Sequence, residues 1–309
     1  MTRKPRFQRT ATDQALQFTG RDRAILSHVA AHRFLSSRQI IALVGGSPQH
    51  VLRRLQRLFH DGLLDRPRAQ LRYFSEDKPQ PIVYALSRAG GRMLEKPGRP
   101  RARPDNRNVK QLYLQHTLLI ADVLVAFQRA CGAPGRPRII TEDQLAADAA
   151  TREAFRWSVT LKHGKESRRV GVVPDRVFAL ESSVKDKRVA FFLEADRATM
   201  PLTRRSLTQS SLMRKLLAYE ATWQEEVHHK RFGASRLRVL FVTTSAERTR
   251  NLAEICATLS RGRGLFLITD TATLHASADV FDVPWLCAGG GTEKLSALWT
   301  TALGEKRAA

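Results

Sequence analysis

Apolar positions recur at helical spacing through the first third of the chain and in short strand-like runs through the rest. In Arg21–His32 the residues Ile25, Leu26 and Val29 share one face of a helix. Ser36 or Ser37 can cap a short second helix, Arg38–Val44, which Gly45-Gly46 stops. Ser47-Pro48 opens a third helix, with Ser at the N-cap and Pro at the first helical position. Its apolar stripe is Val51, Leu52, Leu55, Leu58 and Phe59, and it closes near Gly62. Gln49, Arg53, Gln56, Arg57 and His60 share the opposite face. Two strand candidates follow, Leu63–Arg66 and Ile82–Leu86, joined by a basic loop holding Arg68, Arg72 and Lys78, and then a helix, Ser87–Leu94.

The second segment opens with an apolar helix, Leu112–Ala130. Strands are expected at Arg138–Thr141, Phe155–Leu161, Arg169–Leu180 and Val189–Glu194. A long helix from about Thr203 to Lys230 precedes a buried strand, Leu237–Thr243, a helix, Ala246–Leu259, and a strand, Leu265–Ile268. This order, a β-meander with crossover helices, predicts a mixed sheet flanked by helices. The chain is therefore read as a two-domain α+β protein. Its segments are a basic N-terminal arm (1–19), a helical domain (20–95), a linker (96–110), a sheet domain (111–285) and a tail (286–309). The linker reading rests on composition: Lys96–Lys110 holds three prolines and six basic residues against one acid, which keeps it extended and solvated.

Charge sharpens the picture of the first domain. Lys plus Arg number 52 against 29 Asp plus Glu in 309 residues, a formal net of +23. Residues 1–110 carry 23 basic and 8 acidic side chains, so this third supplies most of the excess. Such a balance points to a polyanionic partner, since phosphate contacts release counterions. Three helices and a basic hairpin, with arginines on the third helix, form the pattern of a winged helix-turn-helix. The expected contacts to double-stranded DNA are Gln49, Arg53, Arg54, Arg57, Arg68 and Arg72. Three cysteines without a C-x-x-C pair argue against a disulfide framework or a zinc site and suit a reducing cytoplasm. No apolar run approaches the roughly 18 residues of a membrane helix, so no membrane partner is expected.

The stretch Val172–Asp196 carries the candidate chemistry. Asp175 follows Pro174 in one strand, and Glu194 and Asp196 end the next, across a charged turn. Paired strands lie about 4.8 Å apart, close enough for two such acids to share one cation. A carboxylate in an apolar strand is costly unless it is paired or binds metal. The plainer alternatives are a turn role for Asp175, pairing of Glu194 and Asp196 with Arg197, Arg204 or Arg205, and a solvent-exposed Lys215.

P-D on one strand and E-x-D on the next resemble the restriction-endonuclease-like, PD-(D/E)XK, core. That resemblance implies Mg²⁺, with Mn²⁺ as a substitute, held by Asp175 and Glu194, with Glu142 of I-I-T-E-D as an additional ligand. It also implies a lysine that orients or activates water. The usual lysine position is Asp196 here, and Lys215, four residues before Tyr219, is the natural replacement. The catalytic set expected on this basis is Asp175, Glu194, Asp196 and Lys215.

The whole layout, a winged helix, then P-D, E-x-D-R-x-T and K-x-x-x-Y, resembles the replication-relaxation family of mobile-element proteins, similar to restriction-endonuclease-like plasmid relaxases. The resemblance covers roughly residues 20–270. It implies DNA binding and nicking at an origin, alongside mobilisation or replication proteins. The competing expectation is a non-catalytic transcriptional or replication regulator whose nuclease-like domain has become a dimerisation or partner module, making a homodimer. A third is an accessory protein that recruits a relaxase or replicase.

Overall fold

The computed structural model describes residues 6–10, 15–75, 80–94, 105–145, 152–163, 166–182, 187–198 and 211–300. The chain divides into two compact units, one up to Val125 and one from Ala126. Together they make a mixed α+β fold.

The first unit contains α1 (Gly20–His32), β1 (Phe34–Ser36), α2 (Ser37–Val44), α3 (Pro48–His60), β2 (Leu64–Asp65), β3 (Val83–Leu86) and α4 (Arg88–Leu94). Local chemistry sets the helix starts. Thr19 and Asp22 cap α1 reciprocally, and Ser36 and Gln39 do the same for α2. Pro48 starts α3 as expected. The three strands form an antiparallel sheet in the order β1-β3-β2. Ile25, Leu26, Val29, Leu35, Ile40, Val51, Leu55, Leu58, Leu64 and Tyr84 pack as its core.

Between β2 and β3 the expected loop begins as a 3-10 helix, Arg68–Ser75. Gln70 fixes it there. Its buried amide donates to the carbonyls of Pro67 and Val83 and accepts from the Val83 N–H. Lys78 lies outside the described residues, as does the side chain of Arg72.

Helix α5 (Gln111–Cys131) matches the apolar run, yet the division of the chain falls within it. Leu114, Ala121 and Val125 are buried among first-unit residues. Gln39 Nε2 donates to the Leu118 carbonyl and to Asp122 Oδ1, at 3.2 and 2.6 Å. Of the compositional linker, residues 96–104 lie outside the described residues. Asn106, near its end, donates to Asp65 and to the Leu86 carbonyl.

The second unit continues from α5 through β4 (Arg138–Ile140), α6 (Glu142–Leu145), β5 (Trp157–His163), β6 (Glu166–Val172), β7 (Arg176–Ser182) and β8 (Lys187–Asp196). There follow α7 (Leu212–Gln224), α8 (Val227–Phe232), β9 (Arg236–Thr243), α9 (Ala246–Ala257), α10 (Gly262–Leu265), β10 (Phe266–Asp270), α11 (Thr271–Ala276), β11 (Trp285–Cys287), β12 (Thr292–Glu293) and α12 (Ala297–Thr300). Seven strands form one mixed sheet in the order β12-β11-β10-β9-β8-β7-β4. The β8-β9 and β9-β10 pairs are parallel and the remaining pairs antiparallel.

Alternation along β8 serves both faces of this sheet. Ala190 and Phe192 join a core with α7, α9 and the separate β5-β6 hairpin. Phe191 instead stacks on Phe178 and lies tilted against Phe127.

Three expectations change here. The single strand Arg169–Leu180 is two strands, because Val173, Pro174 and Asp175 interrupt it and hand the chain from the hairpin to the main sheet. The long helix is α7 and α8, broken where Glu226 takes a left-handed conformation at φ 55°; residues 203–210 lie outside the described residues. Residues 286–293, read as part of a tail, contribute to β11 and β12 and extend the sheet around the glycine turn Gly289–Gly291, each with positive φ. Among the described residues no helix is long and apolar enough to cross a membrane.

Candidate functional site

The site forms where β7 begins beside β8. Their register pairs Arg176 with Leu193, and one step back it sets Asp175 opposite Glu194. The 19-residue spacing of these acids thus follows from the β7-β8 register, continued one step past the start of β7. With β7 not yet started, the Asp175 side chain takes up the free edge of β8: Oδ2 accepts from the Ala195 N–H at 2.9 Å. Glu142 closes the strand start from the other side. It opens α6 rather than ending β4, and its Oε1 accepts from the Val177 N–H at 2.8 Å. Its Oε2 lies 4.0 Å from the Arg176 guanidinium.

Glu194 is 2% exposed. Two side chains one turn apart on α7 reach it: Lys215 Nζ donates to Oε2 and the Tyr219 hydroxyl donates to Oε1. The helix that delivers them is set firmly. Ser211 caps it by accepting from the Arg214 N–H, and Leu212 and Leu216 enter the core. Trp157 of β5 donates its indole N–H to Thr222 at 2.9 Å.

Burial pushes the Glu194 carboxyl up to about 7; the Lys215 ammonium pulls against this, and the Asp175 charge adds to it. Burial alone would lower Lys215, but Glu194, Asp175 and Asp196 outweigh it and raise its pKa. Tyr219 is raised well above its ordinary value by burial and by Glu194. Near neutrality the cluster is therefore a carboxyl close to its own midpoint, a firmly protonated lysine and a phenol that only donates. A general base must give up its proton first, so Lys215 suits a fixed cation better than a base.

Asp196 meets a different partner. Arg248, in the first turn of α9, donates Nε to Asp196 Oδ2 at 2.6 Å, and both side chains are largely buried. Asp196 Oδ1 accepts from the Ala198 N–H at 3.1 Å. Asp196, expected in the catalytic set, links β8 to α9 through this bond. Sequence reasoning missed Arg248, because nothing in A-E-R-T-R singles out the arginine that will meet a strand 52 residues earlier. Of the suggested partners, Arg204 and Arg205 lie outside the described residues.

Asp175 and Glu194 offer only hard oxygen donors. That suits Mg²⁺, which keeps most of its waters and needs one or two carboxylates. Among the described residues no three His, Cys, Asp or Glu side chains assemble as a metal-binding group.

On α3 the expected DNA contacts separate into two kinds. Gln49 and Arg53 are exposed, as is Arg68 at the start of the 3-10 segment. Arg54 is not on that face. Its Nε donates to Asp22 Oδ1 at 2.5 Å, and its NH2 donates to Asp22 Oδ2 and to the Gln17 carbonyl. Arg57 donates to Asp61 at 2.5 Å within its own helix end. Leu52, expected in the buried stripe, is 43% exposed.

Fold and site together define an α+β protein in which a basic helical unit is joined to a mixed-sheet unit carrying a buried acid–lysine–tyrosine cluster. The chain belongs to the replication-relaxation family, whose model matches residues 26–236. That range begins in α1, ends at the first residue of β9, and includes Asp175, Glu194, Lys215 and Tyr219 but not Arg248. No curated protein and no solved structure matches the chain.

Proposed function

We propose that this is a DNA-binding, replication-related protein of a plasmid or other mobile element, with a nicking centre at Asp175, Glu194 and Lys215. On this reading the first unit is a winged helix-turn-helix that docks on duplex DNA, and the second is a restriction-endonuclease-like domain. The observation that carries the reading is the bond from a lysine of the following helix to the strand acid Glu194, within the electrostatic reach of Asp175. Family membership and the +23 charge support it.

Asp175 and Glu194 would hold Mg²⁺, or Mn²⁺ in its place. The ion would polarise the scissile phosphate and lower the pKa of the attacking water. Lys215 brings a fixed positive charge to where the phosphate gains negative charge. Tyr219 holds Glu194 in place, and the Asp196–Arg248 pair keeps α9 against the end of β8. Glu142 closes the start of β7 by accepting from the Val177 N–H.

A second reading has two observations in its favour. Both Glu194 oxygens already accept hydrogen bonds, and the position where the resemblance expects lysine is an aspartate locked to Arg248. This favours a regulator whose sheet domain serves as a dimerisation or partner module for mobilisation or replication proteins.

Relaxation of supercoiled plasmid in Mg²⁺ or Mn²⁺ separates the two. The wild type is expected to nick, and Asp175→Ala and Glu194→Ala to lose on the order of a hundredfold or more of that activity. Equal activity in all three, or none in any, removes the nicking centre and leaves the regulator.

A further inference from the structure

The outward stripe of α3 is less basic than its sequence. Of its three arginines, Arg54 is tied to Asp22 and Arg57 to Asp61. Arg53 is exposed and makes no hydrogen bond or ion pair among the described residues. Gln49, Leu52, Arg53 and Gln56 are all exposed and stand at i, i+3, i+4 and i+7, a single line along the N-terminal half of the helix. Leu52, near the centre of this line, is 43% exposed.

We propose, resting on the DNA-binding reading above, that this stripe reads base edges in the major groove and that Leu52 packs on a thymine methyl group. Each member has a counterpart there: glutamine amides match adenine N6 and N7, the guanidinium matches guanine O6 and N7, and an apolar group matches the thymine C5-methyl. The early residues of a second helix-turn-helix helix are those that approach bases. Charge selects DNA over an apolar protein partner. Residues 1–110 hold 23 basic and 8 acidic side chains, and Arg38 at the start of α2 and Arg68 beyond β2 are both exposed. A helix meant only to grip phosphates would turn its arginines outward. Here two are held internally while an isobutyl group faces out.

The test uses the full chain and a duplex that it selects from a randomised library. Each thymine is then replaced singly by deoxyuridine, which removes the methyl group and nothing else. At one position uracil is expected to weaken wild-type binding about three- to fivefold, the worth of one buried methyl group. Leu52→Ala should bind the thymine duplex correspondingly more weakly and ignore that replacement, whereas Leu52→Met should keep the sensitivity. Duplex binding with no such thymine, or a sensitivity that survives in Leu52→Ala, overturns this inference alone. Failure to bind any duplex overturns the DNA-binding reading with it.

Discussion

Asp22 shows how much one side chain can hold. It closes the cap of α1 by accepting from the Thr19 N–H and hydroxyl, at 2.6 and 2.8 Å, and it receives Arg54 from α3. Burial pushes its pKa up, but the hydrogen bonds from Arg54 and Thr19 outweigh that and bring it below the ordinary 3.8. A depressed carboxyl stabilises the fold above its unfolded pKa, and that contribution disappears as pH falls through the folded value. Asp22→Asn should therefore cost about 2 to 3 kcal/mol at pH 7, at the lower edge for a broken buried pair because Arg54 is partly exposed. The gap to wild type should shrink below about pH 4. Urea unfolding at pH 7 and pH 3 measures it, and an equal gap at both would show that the carboxylate charge is immaterial. None of this was legible beforehand. R-D-R at 21–23 marks a helix start, but the pairing of Asp22 with Arg54 depends on how α1 and α3 cross. Arginines at 53, 54 and 57 look alike in sequence, and only packing separates the outward one from the two that are tied.

Elements were more readable than residues, and α7 is the best example. The i, i+4 spacing of Lys215 and Tyr219 places both on one helix face, and the structure aims that face at Glu194. The acids were legible because an apolar strand with a carboxylate near its end breaks the expected pattern. The break at Val173–Asp175 was not, since β6 and β7 read as one apolar run until Pro174 is weighed against the ladder donor it lacks. Residues 285–293 were unreadable for another reason: two short strands around three glycines carry no period. The α7–β8 connection gives a direct prediction. Tyr219→Phe keeps the ring but leaves Glu194 Oε1 without its phenol donor in a buried site, which should destabilise the protein by about 1 to 3 kcal/mol. The reference is the wild-type chain. Similar urea midpoints for the variant and the wild type would mean that the Tyr219 hydroxyl contributes nothing to holding β8.

At the scale of the whole molecule, charge and chain division do not coincide with the compositional linker. The basic excess is concentrated in residues 1–110, yet the first compact unit extends to Val125. An extended proline-rich segment suggested a boundary there, because composition reports solvation and not what the next helix buries. Leu114, Ala121 and Val125 are 0%, 1% and 5% exposed, packed with residues of the first unit, and Gln39 ties α2 to the Leu118 carbonyl and Asp122. Burying a Leu or Val side chain is worth about 1.5 to 3 kcal/mol, so removing all three approaches the whole stability of a small unit. A fragment ending at residue 110 is therefore expected to unfold at a much lower urea concentration than one ending at residue 131, with a broader transition. The longer fragment should unfold cooperatively and bind duplex DNA with the salt dependence of the full chain, because it retains every exposed cation of the first unit. Circular dichroism melts of the two fragments decide the matter. Matching midpoints would mean that the first 15 residues of α5 contribute nothing to that core, and would return the boundary to the linker.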